Sequence, residues 1–396
     1  MQEKRIDLSL YFDPCPFMDD PDFLEDKTLR WSSQISKYTQ LGNFPSTENI
    51  KIALIGISEN RGEKSGLLCN GADAVRKQLY NLYPPEFLPG IVDLGNLKTG
   101  KTIQDTYFAL CETITCLLAQ KTVVILLGGS QDLTYAMYKA YAKLNQMVNL
   151  LNIDSAFDFG DPDVPMKNNS YMGKIIVDPA NYLFNYTNIG YQTYMVEGEA
   201  ISLMSKLYFD AYRYGFFRGE IKEAEPMIRD SDCVTIDLSA IRYSDSPANN
   251  YARPTGFTSE DACQMMHYAG LSDQVSTVGL FEYHRLLDSN EQSAKLLAEM
   301  IWCFVDGFLH RLNDHPCQNN GMNYKKYMVT LEDSDHELTF YKCKETDRWW
   351  MELPCDGRQQ EKYNRHRFIS CSYKDYQTAL SNETPERWWA AYQRLK

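Results

Sequence analysis

Apolar residues in this chain fall into short runs separated by stretches with helical spacing. Lys51–Ser58 (KIALIGIS), Gly90–Leu94, Thr122–Leu127 (TVVILL), Val148–Ile153 (VNLLNI), Cys233–Leu238 and Val275–Phe281 are short apolar runs, several of them β-branched. Such runs read as strands buried on both faces. Between and after them, Ala72–Leu82, Thr102–Gln120, Thr134–Leu144, Glu199–Gly215, Glu260–Ala269 and Ser293–Phe308 carry apolar side chains at helical intervals. Strands alternating with helices predict βαβ units. The expected fold class is α/β, with three α/β/α layers around a mostly parallel sheet.

The pattern changes after about Asn313. Tyr327–Leu331 and Glu337–Lys342 alternate polar and apolar residues, Trp349–Leu353 follows, and Ser372–Arg394 reads as helical. This predicts a small antiparallel sheet, with Asp333-Ser334-Asp335 as a hairpin turn. The expected organisation is an irregular lead-in over 1–45, an α/β domain over 46–315 and an appended α+β module over 320–396. No linker-like segment joins them, so the module is expected to be docked rather than tethered. Trp349-Trp350 and Trp388-Trp389 each follow an acid–Arg pair. They are expected to anchor the module to the body.

Composition narrows the function classes. With 396 residues and 44% hydrophobic content, the chain can bury a large core. Its formal charge of −13 argues against nucleic acid or an anionic membrane as partner. No secretory leader and no membrane-spanning run is read. The 11 cysteines are never spaced as C-x-x-C, which fits reduced thiols and a cytoplasmic location. Cys69, Cys233 and Cys263 are expected to be buried small hydrophobes rather than nucleophiles. All six histidines lie at or after His267. The first two thirds of the chain therefore has no imidazole to offer as ligand or base. His267 and His284 are expected to be surface or packing residues.

In a parallel sheet, ligands bind outside the carboxyl ends of the strands. Here those ends read GGSQD (Gly128–Asp132), DSAFD (Asp154–Asp158), TIDLS (Thr235–Ser239) and GLFEYHR (Gly279–Arg285). Asp154, Asp158, Asp237 and Glu282 are expected to converge on one crevice. GGSQD has the wrong spacing for a phosphate loop and is discounted as one.

The order of these segments resembles the ureohydrolase family of arginases, agmatinases and formimidoylglutamases. That family carries GGDHS, DAHxD, SxDxD and VExxP in this order. IGISENRG (Ile55–Gly62), GADAVR (Gly71–Arg76), VDLG (Val92–Gly95) and Pro254–Phe257 extend the likeness, which spans about residues 50 to 310. Formimidoylglutamase-like members look most similar. The resemblance implies two metals held by the His of the first segment, the Asp, His and Asp of the second, and both Asp of the third. In this chain those positions read Gln131, then Asp154, Ala156 and Asp158, then Asp237 and Ser239. Ser130 replaces the Asp before the first His. The family's catalytic His falls in a loop that here reads KNNSY (Lys167–Tyr171). The guanidinium-binding Glu is matched by Glu282.

Alanine cannot ligate, and Gln and Ser are weak neutral substitutes. The expectation is no binuclear manganese cluster. Three crowded carboxylates demand a proton or a cation. A single Mg²⁺ or Ca²⁺ on Asp154, Asp158 and Asp237, a Lys or Arg side chain, or a cationic small molecule would each serve. Glu282, Gln131, Ser130 and Asn169 are expected to line the substrate side. The favoured reading is a degenerate family member that binds a small cation in this crevice or a protein partner through its C-terminal module. The competing readings are a C–N hydrolase of amidines using one metal or none, and a structural subunit. A homo-oligomer is expected, as is usual in the family.

Overall fold

The computed structural model describes residues 6–17, 29–63, 71–317, 322–332, 337–354 and 363–396. Ten strands form the main sheet: β1 (Phe12–Asp13), β2 (Ser36–Lys37), β3 (Ile52–Ile57), β4 (Ile91–Leu97), β5 (Val123–Leu127), β6 (Val148–Ile153), β7 (Leu183–Tyr191), β8 (Asp210–Arg213), β9 (Cys233–Asp237) and β10 (Thr277–Phe281). Their order is β1-β4-β3-β5-β10-β9-β6-β7-β8, with β2 also on β4. All pairs are parallel except β1 with β4. The central strands are buried along their whole length, as continuous apolar runs require in a sheet covered on both faces. Two apolar clusters hold the layers. One packs the helices Ala72–Tyr80, Ser259–Leu271 and Gln292–Leu309 on one face, and the other packs Ile103–Ala119 and Thr134–Lys143 on the opposite face.

Several expectations need correction. The lead-in is not merely irregular, because it supplies the edge strands β1 and β2. Strand β7 was not anticipated: Asn185, Thr187 and Asn188 interrupt its apolar pattern, yet all are buried. The expected helix over 199–215 ends at Lys206, and β8 follows. The C-terminal helix is two helices, Tyr373–Leu380 and Glu386–Leu395, broken before Pro385. Proline cannot supply the backbone N–H that a continuing helix needs. The expected turn at 333–335 and Cys69 lie outside the described residues. Cys233 is fully buried, whereas Cys263 is half-buried.

The C-terminal sheet is antiparallel, in the order β11 (Tyr324–Thr330), β12 (Glu337–Cys343), β13 (Trp349–Glu352) and β14 (Phe368–Cys371). It docks at the amino-terminal ends of the body's strands. His366 stacks on Phe184 with ring centroids 3.9 Å apart. Arg365 pairs with Asp232, and Ser370 donates to Asp230 at 3.3 Å. The Arg229 guanidinium lies 4.4 Å from the Trp350 ring. Trp350 is thus an anchor as expected, and Trp388 is buried in the module core beside Phe184. Trp389 is 46% exposed, and its ring contact is with Tyr392 of its own helix. It follows Trp388 by one residue, which turns it about 100° around the helix, away from the buried stripe.

Among the described residues, no helix is long and apolar enough to cross a membrane.

Candidate functional site

The site is built by the register of four adjacent strands. In β10, Leu280 stands opposite Leu127 of β5 and Ile236 of β9, and Ile153 of β6 stands opposite Ile236. The four carboxyl ends are therefore level. Residues one step beyond, Gly128, Phe281, Asp237 and Asp154, share one rim. Neighbouring strands lie about 4.8 Å apart, so acids at these positions must feel each other.

The turn after β5 closes the site from one side. Gly128 and Gly129 have φ of +82° and +83°, a conformation glycine adopts without penalty. A Cβ on Gly129 would also meet Leu133 at 2.3 Å. This turn carries the Gly129 carbonyl to the Glu282 N–H (3.0 Å) and the Gln131 N–H to Glu282 Oε1 (2.8 Å). Asn168 Nδ2 donates to the same oxygen at 3.1 Å. Glu282 and Asp158 both sit at positive φ, +63° and +54°, which is uncommon for such residues.

The aspartates form a connected group. Asp154 Oδ1 accepts from the Ala156 N–H at 3.1 Å and from Ser239 Oγ at 3.4 Å, and Asp154 Oδ2 accepts from Asn152 at 3.1 Å. Asp158 shares a hydrogen bond with Asp154. Asp237 Oδ1 accepts from the Ser239 N–H at 2.6 Å and from Asn249 at 3.4 Å. Behind them, Gln131 Nε2 donates to Asn152 Oδ1 (2.9 Å), which also accepts from Thr235 (2.9 Å), and Asn152 donates to the Tyr171 hydroxyl (3.0 Å).

Burial and mutual repulsion push these acids upward. Asp154 is raised by burial, against hydrogen bonds led by Asp158 that pull it back. Asp158 rises well above the usual carboxylate range through burial and the charges of Asp154, Asp237 and Glu282. Asp237 is pushed up to about 8, first by burial and then by Asp154. Glu282 rises well above its ordinary value through burial and then Asp237. Among the described residues no Lys or Arg pairs with any of the four, so the side-chain cation considered from sequence is not found there. Asp158 Oδ2, Gln131 Oε1 and Glu282 Oε2 are buried and accept no hydrogen bond from a described residue.

The structure thus gathers Asp154, Asp158, Asp237, Glu282 and Gln131. Two expected residues are not among them. Ser130 is buried, but its hydroxyl meets the Glu59 carbonyl at 3.4 Å, away from the acids. Asn169 is exposed, and Asn168 takes the place expected of it. The loop is pinned by Asn168 N–H to Gly62 O (2.9 Å) and Ser170 N–H to Lys167 O (3.0 Å), which buries residues 168 and 170 and leaves 169 outside. Sequence reading also missed Asn152, Tyr171, Asn249, Glu63 and His284. Asn152 was visible as a polar residue inside an apolar strand, and His284 as an imidazole two residues from Glu282. His284 is not at the surface: it is 1% exposed, with Nε2 3.7 Å from Glu282 Oε2.

Comparison with known proteins agrees with this architecture. The sequence profile of the arginase family matches residues 51–306. A formimidoylglutamase of Staphylococcus haemolyticus is 20% identical over 314 residues, spanning 69% of this chain and 97% of that protein. One from Staphylococcus aureus is 23% identical over 268 residues, 63% of this chain and 82% of that protein. The crystal structure of Trypanosoma cruzi formiminoglutamase with Mn²⁺₂ superposes with a TM-score of 0.62 at 17% identity, covering 71% of this chain and 99% of that one. Formimidoylglutamase from Bacillus subtilis superposes with a TM-score of 0.61 at 16% identity, covering 67% and 90%. The strand order, the level rim of acids and a profile match over most of the chain place this protein in the arginase family, as a formimidoylglutamase-like member.

Proposed function

We propose that this chain is a non-hydrolytic arginase-family protein whose crevice holds a small amidinium or guanidinium cation in place of a manganese pair. The observation that carries the reading is the imbalance at the strand ends. Four carboxyl groups converge without a Lys or Arg partner among the described residues, and three buried acceptor atoms there receive no hydrogen bond from those residues. An unsatisfied buried acceptor costs about 1–3 kcal/mol. A flat cation with several N–H donors supplies the missing charge and the missing donors together.

The residues present do not fit a pair of manganese ions. Ala156 has no donor atom. Ser239 offers a neutral hydroxyl already shared with Ser155 (3.2 Å) and Asp154. Gln131 offers only a neutral amide oxygen, Oε1, which is a weak substitute for an imidazole on such an ion. Three aspartates without an imidazole at these positions leave two divalent ions undercoordinated. Without both ions, water is not made acidic enough to attack at neutral pH.

The test is calorimetric titration with agmatine, L-arginine and formamidine, with release of urea and formamide followed in parallel. Saturable 1:1 binding of at least one probe, lost in Asp158→Asn/Glu282→Gln and without turnover, supports the reading. Turnover of any probe, or failure of all three to bind, overturns it.

A further inference from the structure

Beside the aspartates lies a second cluster with different chemistry. Glu63, Glu282 and His284 each offer one ligand atom, and these atoms all lie within 4.8 Å of one another. All three residues are buried, at 4%, 0% and 1% exposure. They come from two separate places in the chain. Glu63 follows the loop after β3, and its N–H is fixed to the Asn60 carbonyl at 2.9 Å. Glu282 and His284 follow β10, where the His284 N–H is fixed to the Ala248 carbonyl at 2.9 Å.

The two oxygens of Glu282 are differently placed. Its Oε1 is saturated by the Gln131 N–H and Asn168. Its Oε2 is buried, accepts no hydrogen bond from a described residue, and stands 3.7 Å from His284 Nε2. That separation is too long for a hydrogen bond. It is close to the ~3.3–3.4 Å expected between two ligands held about 2.0–2.1 Å from one tetrahedral ion. From this we infer that Glu63, Glu282 and His284 form a mononuclear divalent-metal site, distinct from Asp154, Asp158 and Asp237. Two carboxylate oxygens and one imidazole suit an ion of the zinc class better than Mg²⁺ or Ca²⁺, which prefer oxygen alone. Three protein ligands leave the fourth position open to water or a ligand atom. The inference does not rest on the organic-cation reading; the two share Glu282 Oε2 alone, so ion and cation would compete for that oxygen.

The test uses the full chain, stripped with EDTA and titrated with ZnCl₂ in the absence of any amidine. The expected result is one Zn²⁺ per chain by calorimetry and by elemental analysis after desalting. Affinity should fall about tenfold or more in Glu63→Gln and His284→Ala and persist in Asp158→Asn. Anomalous scattering at the zinc edge on the wild-type crystal should place the ion on His284 Nε2, a readout independent of whether the variants fold. Failure to retain zinc overturns the inference. So does an ion whose binding is lost in Asp158→Asn and unchanged in His284→Ala. Zinc retention without amidine binding would instead sink only the organic-cation reading, and the converse only the metal site.

Discussion

Gln131 Nε2 donates to Asn152 Oδ1 at 2.9 Å, so the side chain at the family's first imidazole position is tied into the sheet by its nitrogen and presents only a neutral amide oxygen to the crevice. Asn152 in turn holds Asp154 at 3.1 Å. The replaced ligands are thus part of a hydrogen-bonded network. Restoring the family's donors should reopen a metal site: Gln131→His/Ala156→His/Ser239→Asp is expected to gain manganese, approaching two ions per chain after loading. Elemental analysis of loaded and desalted protein checks this.

The crowded acids make the ligand-free crevice a stability liability. Removing one charge should relieve it. Asp158→Asn is expected to stabilise the ligand-free protein by about 1–3 kcal/mol, read as a higher denaturation midpoint in urea. Binding of the cationic probe should weaken in the same variant. A loss of both stability and binding would mean that Asp158 is held by a partner the fold already supplies.

Asn168 and Asn169 are adjacent, but only Asn168 reaches Glu282, at 3.1 Å. Asn168→Ala is expected to weaken amidine binding about tenfold, the worth of one charge-assisted hydrogen bond, while Asn169→Ala leaves it unchanged. Paired titrations of the two variants decide the matter.

Much of the fold was legible because the strands are buried on both faces and so are written as continuous apolar runs. Chemistry at their ends was legible for the same reason: Asp154, Asp237 and Glu282 follow the last apolar residue of β6, β9 and β10. The upstream segments were legible as well, and their role is structural. Arg76 of GADAVR meets Asp93 of VDLG at 2.7 Å with both side chains fully buried. Strand β7 was hidden because polar Asn185 and Asn188 find partners that sequence does not display: Asn185 bonds Asp210 at 2.7 Å and Asn188 bonds the Ala156 carbonyl at 2.6 Å. His284 was hidden because its neighbour Glu63 lies more than two hundred residues away in the chain.

The Arg76–Asp93 pair gives a direct stability test. Truncating one partner leaves the other charge buried and alone, which costs about 3–5 kcal/mol. Arg76→Ala is expected to lose that much in chemical denaturation.

Docking of the C-terminal module should be sensitive to acid. Burial pushes His315 down to about 4, helped by the charges of Arg229 and Arg365 against that of Asp314. Burial holds His366 well below its ordinary value. A base with a lowered folded-state pKa takes up its proton mainly on unfolding. Its contribution is therefore intact above about pH 6.5 and is lost as pH falls toward 4. For His315 this amounts to about 3 kcal/mol. Melting curves from pH 7 to 4.5 should show the loss, and His315→Asn should flatten it. An unchanged slope in that variant would remove His315 from the explanation.

Manganese stoichiometry tests the central claim most directly. Wild-type protein loaded with excess MnCl₂ at pH 8, desalted and analysed for metal should retain well under two manganese ions per chain. Two retained ions per chain would contradict the account, because they would mean that three aspartates without the family's imidazoles can still hold the pair.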